Sequence, residues 1–222
     1  LFNWAVEQGL MERNPVQNVK SVSAHVNAPQ NPDPKAMPLD KALACIDACR
    51  ESPPLGDICE VLLLTGMRVG EICRVTWSDV DLERRMIRLA KHKTVGYVNR
   101  PRQIPLAERC VEVLKKQPTR EKGRHVFVGE RGQPFNQHAL YNRLVRLREK
   151  HSELESFTFH RLRHTCATLL QRKGAPERVA QAILGHNSRL MTQYYTATGE
   201  DEMLEAVNTL ANSTKQSRDA DA

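Results

Sequence analysis

The 222-residue sequence contains no Cys-x-x-Cys pair, no long apolar run, no phosphate-binding glycine loop and no internal repeat. Each absence excludes a class of protein. The six cysteines, Cys45, Cys49, Cys59, Cys73, Cys110 and Cys166, are scattered through apolar helical patterns, which argues against a zinc or redox centre and against a disulfide-stapled miniature. They read as reduced core residues of a cytoplasmic protein. No window reaches the ~18 apolar residues of a membrane span, and no charged-then-apolar leader precedes a small-residue cleavage site. Without a Gly-x-x-x-x-Gly-Lys-Ser/Thr loop or an acidic metal cluster, neither ATP nor metal chemistry is signalled.

What the chain does have is positive charge. Lys and Arg outnumber Asp and Glu by 33 to 26, a formal charge of +7, and the pI is near 9.2. That balance favours an anionic partner such as nucleic acid. The length suits one large domain, or a domain plus a fragment, with room for a real core. Leu1 to Val6 already follow an amphipathic helical pattern, so the chain is expected to begin partway through a helix, with an upstream domain missing. Residues 27 to 38 carry four prolines and no apolar periodicity, which reads as an extended linker. The expected division is therefore a helical remnant over 1–26, a linker over 27–36, a main domain over 37–211 and a polar, disordered tail over 212–222.

The main domain reads as mainly α with a small antiparallel β-sheet. Leu39, Leu43 and Ile46 mark one face of a first helix, and Ile58 to Leu64 form a strongly apolar second, with Gly66 as its C-cap. Met86 to Ala90 and Gln103 to Leu106 flank a polar basic stretch and read as two strands, with Val126 to Val128 as a further one. Helices are expected near 107–117, 136–150, 159–173, 176–184, 188–195 and 201–211.

Chemistry concentrates in three places. In the helix that Thr158 would cap, Leu162, Cys166, Leu169 and Leu170 share one face, and His160, Arg163, His164 and Gln171 share the other. Spacing alone also allows a solvated polar face. A metal site of His160, His164 and His186 is disfavoured, because Arg163 would repel a dication and no His-Glu-x-x-His glutamate is present. Arg68 follows a Gly-capped apolar helix, where an arginine can be aimed into a cleft; equally, it could be a surface residue paired with Glu71. Tyr195 could be a packing aromatic beside Met191, and Pro176 to Tyr195 could pass as a helix-turn-helix of a non-catalytic DNA-binding regulator.

Thr65-Gly66-Met67-Arg68-Val69-Gly70-Glu71, His160-Arg161-Leu162-Arg163-His164-Thr165, and Leu184-Gly185-His186-Asn187-Ser188 followed by Tyr194-Tyr195 resemble, in order and spacing, the successive motifs of the tyrosine recombinase (phage integrase) family. The resemblance spans about residues 37 to 200. Trp4-Ala5 with Asn14-Pro15-Val16 is similar to the end of that family's preceding core-binding domain. Carried over residue by residue, the resemblance implies Arg68 and Arg163 as catalytic arginines, Glu71 as their acidic support, His160 as a hydrogen-bonding or general-base histidine, and His186 as a further phosphate donor. Tyr195, nine residues beyond His186, would be the nucleophile, with Tyr194 as its neighbouring alternative. Lys93 in the basic hairpin would protonate the leaving oxygen, with Lys91 as contender. The family reading implies a DNA recombinase that needs no cofactor, acts on double-stranded DNA as a tetramer on paired sites, and is encoded by a bacterium or phage. A type IB topoisomerase would use the same chemistry. The amphipathic set Met203, Leu204, Val207 and Leu210 would dock onto a neighbouring protomer or onto its own chain.

Overall fold

The computed structural model describes residues 6, 8–12, 35–89, 102–121, 124–185 and 199–220. The chain divides into two compact units, residues 1–31 and 32–222. In the first, Val6 is helical and its carbonyl accepts the Gly9 N–H at 3.0 Å, closing a turn. The second unit holds the sheet and the helices over residues 39–220.

Its centre is an apolar helix. We number the helices α1 (Leu39–Cys49), α2 (Leu55–Thr65), α3 (Val69–Ile72), α4 (Glu108–Lys115), α5 (Gln137–Arg148), α6 (Phe159–Arg172), α7 (Glu177–Leu184) and α8 (Glu200–Ala220), and the strands β1 (Val80–Asp81), β2 (Met86–Leu89) and β3 (Arg102–Pro105). Helix α2 is apolar almost all round and accordingly buried on nearly every side, packed among α1, α4, α6 and α8. It stops at Gly66, whose left-handed backbone (φ +60°) lets its N–H return to the Leu62 carbonyl. Helix α6 starts where the sequence indicates: the Thr158 hydroxyl accepts the Arg161 N–H at 3.2 Å.

The sheet is antiparallel in the order β1-β2-β3, with Ile87 opposite Ile104 and Leu89 opposite Arg102. The third strand is not the expected one. Val126 to Val128 make no strand; the segment is held by single bridges, Thr76 to His125 and Val128 to Pro134. The edge is supplied instead by Val80–Asp81, which two antiparallel pairings tie to β2. Proximity explains this, since a short turn at 82–85 joins β1 to β2.

The C-terminal segment also departs from expectation. Residues 212–220, read as a disordered polar tail, continue α8. Ser213 and Thr214 are buried, their hydroxyls donating to the Thr209 and Ala211 carbonyls, and Arg218 reaches Asp47 at 3.3 Å. Polar composition hid these local bonds to the backbone, which let small hydroxyl residues lie inside a packed helix face. Met203, Val207 and Leu210 are buried against the chain's own body. All six cysteines are free and buried. Among the described residues no helix is long and apolar enough to cross a membrane.

Candidate active site

The turn after α2 builds the floor of the site. Met67 is buried and anchors the chain, so the next residue, Arg68, enters extended (φ −78°, ψ 143°) at the head of α3. Glu71, one turn on, folds back: its carboxylate accepts the Arg68 N–H at 2.8 Å and the Arg68 Nη1 at 3.1 Å. This i,i+3 pair is not a surface ornament. The Glu71 side chain is 3% exposed, and it also accepts Nη1 of Arg102, a buried residue of β3. Burial pushes the Glu71 carboxyl up, but the Arg102 charge and the Arg68 N–H outweigh it and hold the group below its ordinary value. Arg68 reaches on to the Gly185 carbonyl at 3.4 Å, which joins the end of α7 to the same cluster.

Arg163 arrives from α6. It is buried, and its Nη1 donates to the Gly66 carbonyl at 2.5 Å. The polar face expected for His160, Arg163 and His164 is thus split: His160 is exposed while Arg163 lies at the edge of the core. At ~100° per residue Arg163 and Leu170 stand only about 20° apart, so the arginine shares its flank with a core leucine. Burial first, then the charges of Arg68 and Arg102, push the Arg163 guanidinium down to about 10. It remains charged at neutral pH, in a site where Arg68 and Arg102 pair with Glu71 while Arg163 itself bonds a backbone carbonyl. Among the described residues the cluster carries more positive than negative charge, which favours an anion in the cleft.

Arg68 and Arg163 line one cleft of about 640 Å³ together with Glu71, His160, Met67, Gly70, Arg74 and Gln137. His160 meets His164 edge to face, ring centroids 4.6 Å apart. Cys166 touches the same turn, but burial pushes its thiol up to about 12, so it is packing rather than a nucleophile. Among the described residues no group of three or more His, Cys, Asp or Glu could hold a metal ion. Lys91, Lys93, His186, Tyr194 and Tyr195 lie outside the described residues.

Arg102 was not singled out from the sequence. A signal existed: β-strand alternation puts residues 102 and 104 on one face, and both Arg102 and Ile104 are buried. An arginine sharing the inward face of a strand needs a partner, and Glu71 is that partner. Arg74 and Gln137, which also line the cleft, carried no comparable signal.

A mainly helical body with a three-stranded antiparallel sheet and a two-arginine cleft agrees with the wider comparison. Residues 35–202 match the phage integrase family, and the chain belongs to that family. It is 36% identical over 156 residues to the tyrosine recombinase XerC of Corynebacterium glutamicum, covering 68% of this chain and 49% of that protein. To the tyrosine recombinase XerD of Halalkalibacterium halodurans it is 30% identical over 193 residues, 83% of this chain and 58% of that one. The chain therefore spans about half the length of the first of these relatives. Among solved structures, XerA recombinase superposes with a TM-score of 0.58 at 31% identity, over 77% of this chain and 63% of that one. A lambda integrase dimer bound to a COC′ core site, at 24% identity, has the same fold: TM-score 0.60 over 86% of this chain and 69% of that one.

Proposed function

We propose that this chain is the catalytic part of a site-specific recombinase, which cleaves and rejoins double-stranded DNA through a 3′-phosphotyrosyl intermediate on Tyr195. The observation that carries the reading is the meeting of Arg68 and Arg163, from distant segments, in one cleft above a single buried carboxylate. A phosphodiester is protected by its own charge, and attack by an oxygen nucleophile adds more to its non-bridging oxygens. Permanently charged planar forks, fixed before the substrate arrives, offset that charge. Losing one such donor costs on the order of 3–4 kcal/mol of barrier.

The remaining roles are those the family resemblance implies, and their chemistry is consistent. His160, exposed in the cleft, takes the tyrosine proton; His186 adds a donor to the phosphate; Lys93, with Lys91 as alternative, protonates the departing 5′-oxygen. The tyrosyl ester stores the broken bond, so a second DNA 5′-hydroxyl can attack it and restore the backbone without ATP. The relatives' names, recombinase and DNA-bound integrase, support this reading. In it, residues 1–26 are the end of a core-binding domain, 27–36 a linker, and four protomers gather on two paired sites in the bacterial cytoplasm.

The test is covalent trapping on a nicked suicide duplex. Tyr195→Phe should keep DNA affinity and lose the SDS-stable adduct; an undiminished adduct would move the nucleophile to Tyr194 or remove the idea. Arg163→Ala should slow cleavage far more than it weakens binding, because backbone affinity is spread over many cations. Equal losses in rate and affinity would point to a DNA-binding regulator instead.

A further inference from the structure

Arg102 stands outside the motifs that carry the family resemblance, yet it touches the parts that hold the cleft. Its guanidinium, 7% exposed, donates Nη1 to Glu71 and Nη2 to the Ile183 carbonyl at 2.7 Å. One side chain from β3 thereby ties the head of α3 to the end of α7. The close approach is built into the backbone at Gly185, where a Cβ would lie 2.5 Å from Arg102 Nε. A side chain at 185 would displace the guanidinium, quite apart from the left-handed φ of +66°.

The charge count explains why this matters. Glu71 is shared: Arg68 takes one side of the carboxylate and Arg102 the other. With both arginines present the trio keeps a net positive charge on the cleft side, where Arg68 is 34% exposed. Without Arg102, Glu71 would be matched by Arg68 alone, and its pull would draw that guanidinium inward and cancel its charge. We propose that Arg102 is a positioning residue for strand transfer: it fixes Glu71 and offsets its charge, leaving Arg68 aimed into the cleft and free to hold a DNA phosphate. The proposal rests on the recombinase reading given above.

The experiment compares Arg102→Met, Arg102→Lys, Glu71→Gln and the Arg102→Met/Glu71→Gln double variant in the full-length protein. Single-turnover adduct formation on the suicide duplex, DNA affinity and thermal melting are read for each. Arg102→Met should slow adduct formation on the order of 100-fold, the scale of a misplaced catalytic group, with affinity changed only a few-fold. Arg102→Lys should fall between, since lysine keeps the charge but cannot bond both acceptors as a fork. The double variant should be no slower than Arg102→Met alone, because removing the carboxylate's charge releases Arg68. An adduct rate that stays at the wild-type value while the melting temperature drops would reduce Arg102 to a structural prop and overturn the proposal. So would single-variant costs that multiply in the double. If Arg102→Met does not fold, the Arg102→Lys/Glu71→Gln pair decides by the same rule. Failure of the recombinase reading looks different: the wild-type protein itself then forms no adduct, and both inferences fall.

Discussion

The histidine of the cleft is set up to be neutral. Loss of some hydration against the cleft wall, then the His164 ring and the charges of Arg163, Lys35 and Arg68, hold His160 below its ordinary value of 6.5. In the proposed role of base His160 must be unprotonated, and the downward shift favours that form. Because the folded state disfavours the imidazolium, the unfolded chain takes up the proton first; the residue's contribution to stability is intact above 6.5 and declines as pH falls below it. The His160 ring should therefore titrate below 6.5 in the DNA-free protein when followed by proton NMR, and a midpoint at or above 6.5 would contradict the electrostatic picture. A bound phosphate adds negative charge among those cations and should move the midpoint upward. At this scale the sequence was legible where residues sit in local motifs, as with Arg68 and Glu71 three apart or His160 and Arg163 on one helix. Arg102 was not, because its meaning lies in a partner 31 residues away in sequence.

The elements that carry these side chains meet at the turn between α2 and α3. Gly66 is pressed there from two sides: a Cβ would lie 2.5 Å from Leu184 Cδ2 and 3.1 Å from Cys166 Sγ. Its carbonyl meanwhile holds Arg163. Gly66→Ala combines a left-handed alanine with overpacking against α6 and α7, and should destabilise the fold by about 2–4 kcal/mol. A urea titration should show a lower midpoint with unchanged slope, and adduct formation should slow beyond what the stability loss explains, because the carbonyl that sets Arg163 has moved. An unchanged midpoint would mean the turn relaxes freely. The Gly66 cap and the apolar run before it were readable because both are local signals. The edge strand Val80–Asp81 was not, since two residues hold no period, and Val126 to Val128 looked like a strand from composition while its partners offered single bridges. The end of α8 was hidden in the same way: polar residues gave no apolar stripe, and burial there depends on where α1 and α6 lie.

Across the whole molecule, two buried carboxylates do similar work in different places. Glu71 sits under the cleft, and Glu60 on α2 binds Arg50 at 2.6 Å and Arg109 at 2.8 Å, joining the end of α1, α2 and α4. In each, burial raises the carboxyl's proton affinity and the facing arginines more than reverse it, so both end below 4.5. Depressed carboxylates stabilise a fold at pH above their unfolded value, and that contribution disappears as pH falls through the folded one. After the shallow decline below pH 6.5 that His160 contributes, the melting temperature should thus fall steeply below about pH 5, since protonating either group strands its arginines. Glu60→Gln tests the distal network alone. Its guanidinium partners are about a third exposed (35% and 34%) and can rehydrate, so the loss at neutral pH should be about 2–3 kcal/mol, below the ~3–5 kcal/mol of a fully buried pair. The variant should also show a shallower acid limb, having one depressed carboxylate fewer to protonate. Because Glu60 does not line the cleft, adduct formation by the folded fraction should stay unchanged; a rate loss matching that of Glu71→Gln would mean that the two networks act as one.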